Sequence, residues 1–183
     1  RLAGSNMSES LPQLHMRRRL DALPELRVPA GYELRTFGPD DAAAWAELLA
    51  VNAELGAWGL ERAAPYFAPG SRMVLAGSFF ITHEGQPVAT AQLHQHLDGA
   101  YAPTPELGWV AARPEHRGRG LGRVVCLAVL HVAAAAGHPE IFLPTDDHRG
   151  PAIRTYRGLG FEPWLFDPSA PARWARILAE DAG

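Results

Sequence analysis

The sequence predicts a mixed α/β domain, of the α/β or α+β type, in which helices cover the faces of one sheet. Residues 77–82 combine aromatic and β-branched side chains and precede a turn, which is typical of a strand. Residues 120–136 are apolar on nearly all sides, which predicts a helix buried against a sheet. The predicted elements follow one another in the order β-α-α-β-β-β-α-β-α-β-α.

Length and composition favour a single domain. At 183 residues, 47% of them hydrophobic, the chain is long enough to bury one core. We expect this domain to span residues 30–183, after an N-terminal extension over residues 1–29 in which residues 14–17 form a short extended piece. Residues 1–6 precede Met7 and are expected to derive from an expression tag.

The first half of the domain begins with a strand. Residues 32–36 alternate in polarity, and Gly38-Pro39 then breaks the strand. Helical spacing of apolar residues predicts a helix over residues 42–52 and a short helix over residues 59–66. The irregular aromatic segment 53–72 forms either a wall of a substrate site or a cap on the core, and both interpretations stay open.

The second half combines a β-meander with two helices that end at glycines. The expected strands cover residues 77–82, 87–97, 106–112, 141–143 and 161–166. Gly137 and Gly160 are placed as glycines that end the helices 120–136 and 151–159, since a left-handed residue often follows a helix. A final helix begins after Ser169.

The charge and cysteine content exclude several classes of protein. A net charge of −3 argues against a general nucleic-acid binder. No apolar run approaches the ~20 residues needed to cross a bilayer, so we expect no membrane partner and a cytoplasmic protein. The single cysteine, Cys126, rules out a disulfide within the chain and indicates a reducing compartment. We interpret it as a small buried hydrophobe.

Residues 114–122 are rich in glycine and arginine and lie between a predicted strand and a predicted helix. Glycines let a ligand approach the backbone, and the first N–H groups of a helix attract phosphates. A P-loop is excluded because no lysine follows a glycine here. A dinucleotide-binding fingerprint is disfavoured because Arg123 stands where its third glycine belongs.

Two motifs resemble those of the GCN5-related N-acetyltransferase (GNAT) superfamily. Residues 117–122 read Arg-x-x-Gly-x-Gly, and residues 151–161 resemble the family's A-i-x-x-Y-x-x-x-G-F helix. The resemblance covers about residues 31–167. It implies a six- to seven-stranded, mostly antiparallel sheet that splays at a central parallel pair. It also implies acetyl-CoA as the acyl donor and an amine as the acceptor.

The resemblance also implies which residues hold the donor. In this family the loop and the helix start bind the pyrophosphate, and the preceding strand pairs with the pantetheine through Val110 and Ala112, with Trp109 on the opposite face. The implied phosphate residues are Arg117, Gly118, Arg119, Gly120, Leu121, Gly122 and Arg123. A solvated basic face is the competing interpretation of the arginines, and for Arg113 it is equally favoured.

The implied catalytic acid is Tyr156, which matches the family's tyrosine near the thioester sulfur; alternatively it is only a packed helical aromatic. Glu106 is a possible base, or an edge-strand charge. His94 and His96 are also possible bases because imidazole titrates near neutrality, although for each residue alone a hydrogen-bonded strand histidine is the favoured interpretation. Two histidines without a third ligand do not predict a zinc site, and we expect no bound metal.

One position departs from the family pattern. Many relatives carry an asparagine three residues before the helix alanine, and this chain has Arg149, which we expect to serve a phosphate or an acidic acceptor. The predicted function is N-acetyl transfer to an amine of a small molecule or protein, by direct attack on the thioester. The alternative is a non-catalytic, CoA-binding regulatory domain on the same fold. Acetyl against longer acyl donors, and monomer against homodimer, stay open.

Overall fold

The computed structural model describes residues 11–180, and the predicted tag residues 1–6 lie outside this range. Over these residues the chain forms a seven-stranded sheet, five α-helices and two short 3-10 segments. The strands are β1 (Leu14–Arg19), β2 (Glu33–Thr36), β3 (Met73–His83), β4 (Gln86–His94), β5 (Glu106–Ala112), β6 (Glu140–Thr145) and β7 (Glu162–Trp164). The α-helices are α1 (Ala42–Ala50), α2 (Leu60–Phe67), α3 (Leu121–Ala135), α4 (Gly150–Gly158) and α5 (Ala170–Glu180), and the 3-10 segments are Ala53–Leu55 and Pro114–His116.

The strands are ordered β2-β3-β4-β5-β6-β1-β7, and the pair β5–β6 is parallel whereas the other neighbours are antiparallel. The predicted mixed, mostly antiparallel sheet is thereby confirmed. Part of the segment expected as an extension lies inside this sheet, because β1 pairs with both β6 and β7. Leu14 and Met16 are fully buried, which explains why this short stretch joins the core.

The parallel pair diverges soon after it forms. Its register contains one aligned pair, Glu106 opposite Phe142. Further along β5, a register shift against β4 and a positive φ of 47° at Trp109 mark a bulge, which bends the strand. The two strands therefore open a gap in the middle of the sheet, as the predicted splay requires.

Two hydrophobic clusters cover the two faces of the sheet. One joins the buried residues of α3, α4 and α5 to β1, β3, β4 and β6, and it contains Cys126. Burial raises the pKa of the Cys126 thiol to about 12, so this cysteine acts as a core residue. The other cluster packs Trp45 of α1 and Ala63 of α2 against Phe80 and Ala111 of the sheet. The sheet is therefore the middle layer of three.

Several strand boundaries differ from the prediction. The strand expected over residues 77–82 begins earlier, at Met73, and the strand expected over residues 141–143 spans Glu140–Thr145. The strand expected over residues 87–97 ends at His94, because its partner β5 begins at Glu106 directly opposite His94. The last strand is three residues long instead of the predicted 161–166. No helix among residues 11–180 has the length and apolar character to cross a membrane.

Candidate functional site

The glycine-rich loop joins β5 to α3 and presents an open backbone. Gly118 and Gly120 have φ values of +74° and +75°, a region that other residues adopt only with strain. Gly122 lies in the first turn of α3. A Cβ placed on any of these three glycines meets no atom within 4 Å, so this face of the loop is accessible to a ligand. The unpaired N–H groups of the first turn of α3 lie here.

A cavity of about 370 Å³, named cavity B, borders this loop. Its walls come from β5, the loop, α4 and the residues after α1. The predicted donor-binding residues that line it are Val110, Ala112, Arg117, Gly118, Gly120, Leu121, Gly122 and Arg123. Arg119 is exposed and does not line it. The structure therefore brings together eight of the nine residues, and leaves Arg119 outside.

The loop arginines differ in how their charge is balanced. Arg117 donates from Nη2 to Oδ1 of Asn52 over 2.6 Å, and Arg123 donates from Nη1 to the carbonyl oxygen of Gly158 over 2.6 Å. Both acceptors are neutral, so these guanidinium groups are positioned while their charge remains available to an anion. Arg113 instead forms an ion pair with Glu47, at 2.8 Å.

A second cavity, named cavity A, has a volume of about 590 Å³ and lies beside cavity B. It extends along β5 from Val110 to Glu106, within the splayed part of the sheet. Segment 53–72 contributes both to the cavity wall and to the core. Tyr66 and Arg72 line the cavity, whereas Ala63 is buried in the core. The residues that line both cavities are Glu54, Val110, Arg149 and Tyr156.

Tyr156 lies where the two cavities meet. It points inward from α4, is 3% exposed, and packs near Phe161 with 6.1 Å between ring centroids. Burial raises the pKa of its hydroxyl far above the ordinary value, and the nearby Arg149 guanidinium opposes that rise. The hydroxyl is therefore protonated over the whole physiological range.

Glu106 and His96 form a hydrogen-bonded pair at the far end of cavity A. His96 lies beyond the end of β4, but its Nε2 is 2.7 Å from Oε2 of Glu106. Burial raises the pKa of Glu106, and the hydrogen bond from His96 partly offsets this. The same pair lines a third cavity, named cavity C, of about 440 Å³. Gln13, Arg72, Glu106 and Pro144 line both cavity A and cavity C.

His94 lies close to this pair but differs from it in protonation. Burial, with smaller contributions from His96 and Arg72, lowers its pKa to about 4, so the ring is neutral near pH 7. A Cβ on Gly108 would lie 3.5 Å from Nε2 of His94 and 3.4 Å from Oε1 of Glu106. The absence of a side chain at Gly108 thus lets both groups reach the cavity. Among residues 11–180, no three His, Cys, Asp or Glu side chains are grouped to hold a metal ion.

Three contributors were not named individually from the sequence, although Glu54 and Arg72 belong to segment 53–72, one interpretation of which was a wall of a substrate site. Asn52 and Glu54 lie in or beside the 3-10 segment after α1, and no pattern in the sequence marks them. Arg72 precedes β3 and lines cavities A and C. Arg149 had a signal, its departure from the family's asparagine, and the structure places it where cavities A and B meet.

The sequence matches the family model described as "Acetyltransferase (GNAT) family" over residues 43–161. The chain is 35% identical over 178 residues to a mycothiol acetyltransferase from Thermobispora bispora. This alignment covers 90% of this chain and 58% of that protein. A mycothiol acetyltransferase from Thermomonospora curvata is also 35% identical, over 90% of this chain and 56% of that protein. The chain thus spans little more than half the length of these curated relatives.

The fold is similar to that of solved structures. A GCN5-related N-acetyltransferase from Sphaerobacter thermophilus superposes with a TM-score of 0.68 at 23% identity, over 84% of this chain and 50% of that one. The family model covers more than half of the chain and includes both motifs on which the resemblance was based. The chain therefore belongs to the GNAT acetyltransferase family.

Proposed function

We propose that this chain transfers an acetyl group from acetyl-CoA to an amine. The observation that carries the proposal is that cavities A and B meet at Tyr156. Cavity B borders the glycine-rich loop, and cavity A is lined by ionisable side chains that are candidates for the general base. A donor in one cavity and an acceptor in the other would meet at a buried hydroxyl, which is what acyl transfer by direct attack needs.

The donor is held by the loop and by β5. The pyrophosphate binds the first N–H groups of α3, with Arg117 and Arg123 adding charge-assisted hydrogen bonds. The splay frees the edge of β5 near Val110 and Ala112 to pair with the pantetheine amides. Arg119 adds only long-range attraction, because it lies outside the cavity. The acetyl thioester then lies at the junction near Tyr156.

The acceptor enters through cavity A as an ammonium ion and must lose a proton before it attacks. We assign this proton to Glu106, directly or through water, with His96 positioning the carboxylate. The raised pKa of Glu106 makes its carboxylate a stronger base than that of an exposed glutamate. His94, neutral and with its pKa near 4, offers a hydrogen bond to the acceptor and is too weak a base for this step.

The leaving sulfur is assisted by Tyr156. Its hydroxyl keeps its proton at working pH because burial raises its pKa, so it is a hydrogen donor to the departing sulfur. The alternative interpretation, that Tyr156 is only a packed aromatic, predicts that the hydroxyl can be removed without loss of turnover.

The names of the relatives suggest the kind of acceptor. The mycothiol acetyltransferases share 35% identity with this chain over about half of their own length. We extend from these names a small-molecule amine as the acceptor. We also propose a cytoplasmic location, because the buried, unpaired Cys126 is in keeping with a reducing compartment. The proposed acyl group is acetyl.

The test is calorimetric titration with CoA, followed by thiol release from acetyl-CoA with a panel of amines that includes the acceptor of the mycothiol relatives. Micromolar CoA binding and amine-dependent thiol release are expected. Absence of CoA binding at millimolar concentration would overturn the proposal. Tight CoA binding without thiol release for any amine would instead favour the regulatory domain.

A further inference from the structure

Arg149 is a largely buried cation that has been given no role in the glycine-rich loop or in the Glu106–His96 pair. It directly precedes α4, its side chain is 15% exposed, and it lines both cavity A and cavity B. This places a guanidinium at the junction where Tyr156 also lies. Such a group is costly to bury unless something compensates its charge.

The compensation within the protein is slight. Among residues 11–180 the partner of Arg149 is Glu54, with 3.9 Å between Nη2 and Oε1, which is beyond hydrogen-bonding distance. The Glu54 side chain is 49% exposed, so water weakens this attraction. The Nε of Arg149 is buried and has no hydrogen-bond partner among the described residues. The guanidinium is thus positioned but largely unpaired, which points to an anion supplied by a ligand.

We propose that Arg149 binds the CoA sulfur as a thiolate and stabilises the leaving group of acetyl transfer. The inference rests on the proposed function, since it needs CoA in cavity B with its sulfur at the junction. It assigns to Arg149 a role at the reacting atoms, in place of the phosphate or acidic acceptor that the sequence suggested.

The chemistry of the step calls for such a cation. The amine nitrogen forms a bond to the carbonyl carbon, the carbon–sulfur bond breaks, and sulfur takes the electron pair of that bond. The proton that the nitrogen loses as the amide forms goes to a water beside Glu106, which already holds the proton of the ammonium ion. A negative charge therefore develops on sulfur in a buried site, where a fixed positive charge is most effective.

Tyr156 alone does not remove that charge. A thiol ordinarily has a pKa of about 8.5, and burial raises the pKa of the Tyr156 hydroxyl far above this. A hydroxyl that holds its proton so tightly shares it with the sulfur through a hydrogen bond and does not transfer it completely. The thiolate is then protonated from solvent when CoA leaves. Arg149 suits the remaining charge because a guanidinium is a cation with several hydrogen-bond donors in a fixed geometry.

The test measures the thiol pKa of bound CoA from its ultraviolet thiolate absorbance in the wild type and in Arg149→Gln. We expect the bound thiol of the variant to titrate at least about one pH unit higher, a tenfold smaller thiolate-to-thiol ratio. Arg149→Lys should restore most of the difference, because it keeps the charge. Arg154→Gln removes a charge from an exposed position of the same helix and should match the wild type.

Equal thiol pKa values in the wild type and in Arg149→Gln, with CoA bound to both, would overturn the inference and leave the proposed function standing. A uniform loss of CoA affinity with no change in the thiol pKa would assign Arg149 to a phosphate, which also overturns it. If CoA binds neither the wild type nor any of the variants, the proposed function fails together with the inference.

A second measurement needs no variant. The affinity of the wild type for CoA, relative to desulfo-CoA, should rise with pH as the thiolate forms. A ratio that is constant with pH would contradict thiolate binding even if Arg149→Gln failed to fold.

Discussion

The Arg117 guanidinium donates to Oδ1 of Asn52 over 2.6 Å, and Asn52 in turn donates from Nδ2 to the carbonyl oxygen of Leu48 over 2.9 Å. Asn52 is 2% exposed, so this chain of hydrogen bonds ties the glycine-rich loop to the end of α1 from inside the protein. The contact positions the arginine and leaves its charge uncompensated, as a phosphate ligand requires.

Removing this contact is expected to weaken both stability and CoA binding. Asn52→Ala leaves a buried carbonyl and a guanidinium without their partner, so the free energy of unfolding should fall by about 1–2 kcal/mol. CoA affinity should fall by about tenfold because Arg117 is no longer held in place. Urea unfolding and calorimetry measure the two effects.

Asn52→Asp separates positioning from charge. The carboxylate would still hold Arg117 but would compensate its charge, so CoA affinity should fall. Because aspartate cannot donate to the Leu48 carbonyl oxygen, the free energy of unfolding should fall about as much as in Asn52→Ala. CoA binding equal to the wild type in both variants would mean that Arg117 does not contact the phosphates.

Gly122→Ala tests the open face of the loop. Gly122 lies in the first turn of α3, has no need of a left-handed backbone, and has free space at its Cβ position. Alanine should therefore stabilise the helix by about 0.5–1 kcal/mol, while its methyl group obstructs the pyrophosphate and lowers CoA affinity. Thermal unfolding and CoA titration are the measurements. A variant that is more stable and binds CoA normally would show that the pyrophosphate lies elsewhere.

The Glu106–His96 pair predicts the pH dependence of activity. Burial raises the pKa of Glu106 and the hydrogen bond from His96 lowers it, so removing that bond should raise it further. His96→Phe keeps an aromatic ring beside Tyr101 and Phe142 but cannot donate. Since Glu106 acts deprotonated, the acidic limb of the kcat/KM profile should move up by about one pH unit.

A control for this shift is His138→Phe, which removes a histidine outside the three cavities and should leave the profile unchanged. If the acidic limb of His96→Phe coincides with that of the wild type, Glu106 is not the base.

His94 predicts a dependence of stability on pH. Its pKa in the folded protein is lowered from 6.5 to about 4, so the unfolded chain binds a proton more readily between these values. Stability should therefore fall as the pH drops through this window, by up to about 3 kcal/mol from this group. In His94→Gln the loss between pH 7 and pH 4.5, measured by urea unfolding, should be correspondingly smaller. An identical loss in both proteins would show that His94 is not buried in its neutral form.

Much of the fold follows from local patterns. Strand alternation, helical spacing and glycines after helices predicted the main elements, because each of these signals reflects the chemistry of neighbouring residues. The short strand β1 was only partly foreseen, since its buried side, with Leu14 and Met16, gains its meaning from pairing with β6 and β7. That pairing joins residues more than a hundred positions apart, which local patterns do not encode.

The residues of the site could be predicted where they belong to a sequence motif. Residues 117–122 and Tyr156 have fixed spacing, whereas Asn52 and Glu54 reach the site only because the chain folds the end of α1 beside the loop. His96 was expected on a strand and lies beyond its end, and its hydrogen bond to Glu106 depends on a cross-strand register that the sequence does not display.

The most direct test of the central claim compares the wild type with Tyr156→Phe in amine-dependent thiol release from acetyl-CoA. The hydroxyl assists the departing sulfur, so turnover in the variant should fall by about 100-fold. Its CoA affinity should stay within about twofold, since the ring that packs at the junction is retained. Equal turnover in the two proteins would contradict the account.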